Sequence, residues 1–264
     1  IEDRSSKAKK EVFVIEKSAK FTTPGHEEIE LALIKLYRAT NEKRYLDLSM
    51  YFLERRGVDE PIQSYTQSHL PVREQADATG HAVRAAYLYT AMADIAKEIK
   101  DEALSNACFK LFDSIVNRQM YITGGIGTTV RGEAFSTDYD LPNDTAYCET
   151  CASIALIFFA SKMLKIKRLG IFADTMERAL YNTSLAGVAL DGKKFFYVNP
   201  SEIIPDVSGK TWNHRHTLPE RFKWHKCSCC PPNAARLFAS IANYAWDVED
   251  EILYSNIFTA GNLR

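Results

Sequence analysis

Along most of this chain apolar residues recur at three- and four-residue spacing, in runs that come in pairs. That pattern restricts the fold to packed helical hairpins. Between 26 and 40, Ile29, Leu33, Ile34, Leu36 and Tyr37 share one helical face, and after a polar turn the segment 45–56 continues the pattern. The periodicity predicts a second pair at 77–100 and 102–118, and a third at 146–167 and 172–189. Between the pairs lie long connections: 57–75, holding Pro61 and Pro71, and 119–144, holding Gly124, Gly125, Gly127 and Gly132. Connections of this length in a compact domain usually carry function, and repeated hairpins would gather them on one side.

The remainder changes character. The run Phe195-Phe196-Tyr197-Val198 reads as a strand, 200–230 as irregular, and 231–244 as a helix opened by proline. The segment 251–258 alternates in the manner of a half-buried strand. A lone strand forms no sheet, so it either pairs with the Phe195 strand or opens a second domain.

At 264 residues, 46% hydrophobic and 25% charged, the chain suffices for one substantial core or two small ones, and its composition excludes disordered and collagen-like classes. The formal net charge is -1, with Lys and Arg scattered among the acids, so no nucleic acid partner is expected. No apolar run reaches the ~18 residues of a membrane helix, and Ile1-Glu2-Asp3-Arg4 does not open a signal pattern, so no membrane partner is expected either. A start at Ile1 rather than Met suggests that an earlier segment has been removed. The expected location is the cytoplasm, and the sequence leaves open whether the chain forms a homo-oligomer.

Half of the six cysteines crowd into Cys227-Ser228-Cys229-Cys230. Adjacent cysteines do not easily share an unstrained disulfide, whereas adjacent thiolates can both face one metal. A second cluster, Cys148-Glu149-Thr150-Cys151, adds thiols and a carboxylate at the start of a long apolar helix. Together the two clusters could supply four zinc ligands, although Cys-Cys is not the familiar Cys-x-x-Cys spacing. Small buried core residues are the plain alternative, and Cys108 reads that way. His214, His216 and His225 offer a rival metal set, and a knuckle of Cys227, Cys229, Cys230 and His225 is a further arrangement, cramped in its spacing.

Seven ordered motifs then carry a resemblance: EIELAL at 28–33, LPVREQ at 70–75, GHAVRA at 80–85, MYITGGIG at 120–127, LPNDTAY at 141–147, FFYVNP at 195–200 and CCPPN at 229–233. In these the chain resembles glycoside hydrolase family 127, which contains retaining β-L-arabinofuranosidases, over roughly 26–258. The resemblance implies an all-α (α/α)6 barrel followed by β-sandwich domains. It implies an N-terminal segment of unclear role at 1–25, part of the barrel at 26–248 and the beginning of a sandwich at 249–264. By that comparison the first barrel helices and most of the sandwich would be absent. The resemblance also implies Zn2+ held by Glu149, Cys151, Cys229 and Cys230, with Cys229 as nucleophile and Glu133 as general acid/base. His26, His81 and Tyr197 would contact the sugar, and the partner would be an arabinose-containing oligosaccharide or glycan. Cys148 departs from the pattern, where a residue without a thiol is expected.

The chemistry is coherent with those residue types. A retaining glycosidase needs a nucleophile and an acid/base on opposite faces of the anomeric carbon, and cysteine serves as nucleophile only as the thiolate. Glu133 lies on the glycine-rich loop, where Phe135 is expected to desolvate it and raise its pKa. Of Phe196 and Tyr197, which alternate on the predicted strand, one should face the core and the other the site. Two other readings stay open: a non-catalytic carbohydrate-binding or scaffold protein stapled by zinc, and a thiol redox protein using Cys229 and Cys230, which lacks the usual Cys-x-x-Cys.

Overall fold

The computed structural model describes residues 22–59 and 62–262. The segment expected at 1–25 therefore lies largely outside the described residues. The rest is mostly helical. Helices α1 (Ile29–Thr40) and α2 (Lys43–Arg55) form the first hairpin, α3 (Ala82–Ile99) and α4 (Glu102–Ser114) the second, and α5 (Thr150–Ile166) and α6 (Gly170–Ala179) the third. Helix α7 (Cys230–Ala239) and the short α8 (Ala242–Ala245) follow, and strands β1 (Trp246–Glu249) and β2 (Ile252–Ser255) close the order.

The hairpin turns are tight for local reasons. Asn41 ends α1 in the left-handed region at φ 57°, a conformation that asparagine tolerates. Lys100 does the same after α3 at φ 56°. Asp101 follows at once as the N-cap of α4, its carboxylate accepting the Leu104 N–H at 2.9 Å. With so few residues between them, the helices of each pair must lie antiparallel.

Helices α3 and α5 form the centre. Both are buried on nearly every side, as the even apolar character of α5 requires. They pack along one another; α1 and α4 also pack on α3, and α6 and α7 on α5. The core they build includes Leu88, Met92, Leu111, Leu156, Phe159 and Met176, all fully buried, and each such side chain contributes about 1.5–3 kcal/mol by leaving water.

Three expectations are corrected. Phe195–Val198 is not a strand: its residues form isolated bridges, Phe195 to Val188 and Phe222, and Val198 to Glu149, with no continuous ladder. The C-terminal strand does not pair with it either, because β2 runs antiparallel to β1 with Trp246 opposite Ser255 and Glu249 opposite Ile252. The ends of the predicted helices at 102–118 and 172–189 loosen into π-helical turns, Ile115–Gln119 and Leu180–Leu185. The hairpin is joined to the helical core: Ile257, just past β2, is fully buried in it.

Candidate active site and metal centre

Three helix N-termini meet at one cavity. His81 is the N-cap of α3, Glu149 the N-cap of α5, and Cys229 the N-cap of α7, with Pro231 and Pro232 in the first turn of α7, where a missing N–H costs least. Loop bonds fix what approaches these ends. The Thr150 N–H donates to the Tyr197 carbonyl at 3.0 Å, and the Thr150 hydroxyl to the Phe196 carbonyl at 2.8 Å. Asn199 Nδ2 donates to the Cys148 carbonyl at 2.9 Å. These bonds hold Tyr197 beside the start of α5, half-buried and facing the site. On the other side His81 bridges Ala134, and the Phe135 N–H donates to the Gly80 carbonyl at 2.9 Å, so Glu133 is brought against His81.

Both connections turn left-handed at a key residue or just before one. Glu133 itself lies at φ 52° and Cys148, preceding Glu149, at φ 43°, backbone that side chains other than glycine adopt at a cost. Cys148 is fully buried and packs on Gly125, where an added Cβ would stand 2.8 Å from its sulfur.

Glu149, Cys151, Cys229 and Cys230 offer one carboxylate oxygen and three sulfurs that all lie within 4.8 Å of one another. Cys151 and Cys230 sulfurs are 3.5 Å apart, Cys229 and Cys230 sulfurs 3.7 Å, and Glu149 Oε1 lies 3.4 Å from the Cys229 sulfur. A tetrahedral zinc with ~2.3 Å bonds to sulfur sets sulfur–sulfur edges of about 3.8 Å, so the donor set suits that ion. Glu149 Oε2 is buried with no hydrogen-bond partner, which also suits a cation.

The electrostatics point the same way. Burial, and then the neighbouring Cys229 and Glu133 charges, push the Glu149 carboxyl well up. Hydrogen bonds from Cys151 and Cys230 hold the Cys229 sulfur far below the ordinary thiol range, while those two thiols are pushed up. Cys229 is also the one member of the group that is not fully buried.

Cys229, Glu149, Cys151, Glu133, His81, His26 and Tyr197 all line one cavity of about 560 Å³. The Tyr197 hydroxyl is 3.7 Å from the Cys229 sulfur. Glu133 Oε2 lies 3.2 Å from His81 Nε2. His81 Nδ1 accepts the Arg84 N–H at 3.5 Å, so both ring nitrogens are engaged within the protein; His81 caps a helix and faces Glu133 rather than standing free. The Glu133 carboxyl is held below its ordinary value, chiefly by that histidine and against burial, which corrects the expectation of a carboxyl raised by Phe135.

The histidine alternatives dissolve. His214 Nε2 pairs with Asp144 at 2.9 Å, His216 Nε2 bonds the Thr145 carbonyl at 2.9 Å, and His225 Nε2 bonds the Phe195 carbonyl at 3.2 Å. None joins the four-donor group, and Cys227 is exposed on the cavity rim. Cys108 is buried in the core. The cavity also holds Asn233 and Arg236, which sequence reasoning missed: Arg236 Nη2 donates to Asn233 Oδ1 at 2.7 Å and to the Tyr87 hydroxyl at 2.6 Å. Spacings of four and three put Cys229, Asn233 and Arg236 on one helical face, and that was the available signal.

A helical core whose loops gather sulfur, carboxylates and histidines around one cavity has the make-up of an enzyme site. The chain belongs to the β-L-arabinofuranosidase GH127 catalytic-domain family, whose model matches residues 7–243. It is 44% identical to the non-reducing end β-L-arabinofuranosidase of Bifidobacterium longum subsp. longum, over 86% of this chain and 37% of that protein. Its fold is similar to that of a GH127 β-L-arabinofuranosidase from Geobacillus stearothermophilus T6, with a TM-score of 0.86 and 49% identity over 89% of this chain and 40% of the other. A second solved GH127 β-arabinofuranosidase matches with a TM-score of 0.82 and 42% identity, over 90% of this chain and 36% of that one. The chain thus spans about two fifths of the length of these relatives, whose arrangement is consistent with an α/α barrel.

Proposed function

We propose that this chain carries the catalytic core of a retaining glycoside hydrolase that releases β-linked L-arabinofuranose from an arabinose-containing glycan. The observation that carries the reading is that Cys229, the one sulfur of the four-donor group that is not fully buried, shares a cavity with the carboxylate of Glu133. Glu149, Cys151, Cys229 and Cys230 would hold zinc, which keeps coordinated sulfur deprotonated at neutral pH.

In the first step the Cys229 sulfur forms a bond to the anomeric carbon as the carbon–oxygen bond breaks, and Glu133 gives its proton to the leaving oxygen. In the second, water attacks the same carbon, Glu133 takes the water proton, and the carbon–sulfur electron pair returns to Cys229. Two inversions give retention. Glu133, about one-third exposed, takes up that proton from solvent before the first step. A bound sugar removes the water that solvates it, and this desolvation raises its affinity for the proton it must donate. His81 orients it throughout. His26 and Tyr197 line the sugar-facing wall and are proposed as hydroxyl contacts. The β1–β2 hairpin is proposed to open the sandwich domain.

The test is hydrolysis of an aryl β-L-arabinofuranoside under reducing conditions. Cys229→Ser is expected to abolish turnover. Glu133→Gln is expected to spare good leaving groups in the first step and to accept azide in the second. A Glu133→Gln protein that hydrolyses poor leaving groups at the normal rate would remove this residue from the mechanism.

A further inference from the structure

Behind the His81 side of the cavity lies a cluster of charges with no access to solvent. Arg56, at the C-terminal end of α2, is 1% exposed, and Glu27 and Glu30 are 0% exposed. Arg56 Nη1 donates to Glu27 Oε1 at 2.7 Å and to the Thr66 carbonyl at 2.8 Å; Nη2 donates to the Pro24 carbonyl at 3.2 Å and lies 3.6 Å from Glu30 Oε1. Arg84 adds a second guanidinium, 3.6 Å from Glu27 Oε2 and bonded to the Gly25 carbonyl.

Such a cluster is an inefficient way to stabilise a fold, since desolvating the charges consumes most of their attraction. Burial lifts the Glu27 carboxyl to about 7 even with two guanidinium groups beside it. Its geometric effect is more specific. The carbonyls that Arg56 binds belong to two separate loops, each bearing a ring that closes on His81. His26, two residues after Pro24, lies with its ring 6.3 Å from His81, and Tyr65, next to Thr66, lies 5.6 Å from it. The Arg84 guanidinium stacks on Tyr65 at 4.9 Å, and the Arg84 N–H bonds His81 Nδ1.

We infer that Arg56 is a positioning residue for this enzyme: by bridging the two loops from behind, it sets His26 in the cavity wall and Tyr65 against His81, the partner of Glu133. The fork of the guanidinium is what allows one side chain to bond both loops and Glu27 together, and a lysine ammonium lacks that geometry. The inference rests on the glycosidase reading for its kinetic consequence but not for its structural one.

The experiment compares the wild type with Arg56→Lys, Glu27→Gln and Ser49→Ala. Ser49 is the control, because its hydroxyl donates to the Glu30 carbonyl at 2.7 Å in the same buried region without reaching either loop. On an aryl β-L-arabinofuranoside, Arg56→Lys is expected to raise KM about tenfold with kcat within about threefold, the pattern of lost uniform binding. Glu27→Gln should move KM in the same direction by less, and Ser49→Ala should lower the melting temperature without moving KM. In histidine-labelled protein the His26 ring resonance should shift in Arg56→Lys and stay in place in Ser49→Ala. An unshifted His26 resonance in folded Arg56→Lys, or an equal KM rise in Ser49→Ala, overturns the inference. If Arg56→Lys does not fold, Glu27→Gln decides by the same two readouts. A wild type that hydrolyses no furanoside refutes the glycosidase reading instead, and the resonance arm still decides whether Arg56 positions the wall.

Discussion

His81 Nε2 stands 3.2 Å from Glu133 Oε2, while its Nδ1 accepts the backbone N–H of Arg84. The helix cap therefore selects the tautomer that donates to the carboxylate, so α3 fixes the direction in which Glu133 is hydrogen-bonded. A loop and a helix end, far apart in sequence, are thereby joined in one hydrogen-bonded pair.

A pH dependence follows. The His81 bond is the largest influence holding the Glu133 carboxyl below its ordinary value, and a general acid must be protonated to act. Removing the donor in His81→Leu lets the carboxyl rise, so the alkaline limb of kcat/KM should move to higher pH while the maximum rate falls by about 10²-fold or more. A kcat/KM profile against pH for both proteins checks this; an alkaline limb that moves to lower pH contradicts it.

Metal retention should separate the cysteines. Cys151→Ser and Cys230→Ser each remove a sulfur from the buried group, and zinc affinity should fall by more than the ~10–100-fold that loss of an outer hydrogen-bond partner causes. Cys148→Ala should keep its zinc, since Cys148 packs with Tyr121 and Ala146 in a separate small cluster. Elemental analysis after dialysis against a graded chelator series gives the order. Loss of zinc from Cys148→Ala would place that thiol in the metal centre.

The helices were legible because α1, α2 and α4 each bury one stripe and α5 buries all its faces, patterns written directly in residue spacing. The run Phe195–Val198 misled because its aromatic and β-branched composition is that of a strand, while its backbone groups bond in turn to Phe222, Gly187 and Thr150 rather than to one partner strand. β1 was missed because Trp246–Glu249 is short, ends in exposed residues and has its partner only three residues away. The four-donor group could be proposed from motifs at 149–151 and 229–230, yet nothing in the spacing shows that these converge, since about 80 residues of chain lie between them. Arg56 was invisible for another reason: it looks like any arginine closing an exposed helix, and only the folded loops reveal it buried.

Stability should depend on Asp101 in a defined window. Burial pushes this carboxyl up, but the bonds from Leu104 N–H and the Arg73 guanidinium, at 2.7 and 3.0 Å, outweigh it and hold it below its ordinary 3.8. A depressed carboxyl contributes stability above its unfolded value and loses it as pH falls through the folded one. Asp101→Ala should therefore cost about 1 kcal/mol at neutral pH through the lost cap. The difference between wild type and Asp101→Asn, which keeps a capping oxygen but not the charge, should shrink as pH drops below that value. Melts at pH 7 and pH 3 test both; a gap that widens at pH 3 reverses the sign of the argument.

Gly80 joins fold and site most directly. It adopts φ +72°, and an added Cβ would stand 1.8 Å from the Ser64 carbonyl oxygen, a backbone atom with no room to yield. Its carbonyl accepts the Phe135 N–H, so the same residue that lets the chain turn into His81 also tethers the loop bearing Glu133. Gly80→Ala meets both a disfavoured backbone and a collision, and should cost more than the roughly 1–2 kcal/mol of the left-handed backbone alone. Relief requires the Ser64–Thr66 turn or the start of α3 to move, and either displaces His81 relative to Glu133. Gly192→Ala is the matched comparison, with φ +69° but nothing within 4 Å of the added Cβ. Chemical denaturation should show a larger loss for Gly80→Ala, and only that variant should lose turnover per folded molecule on an aryl furanoside. Equal losses of stability, with activity per folded molecule intact in both, would mean that Gly80 serves the turn alone.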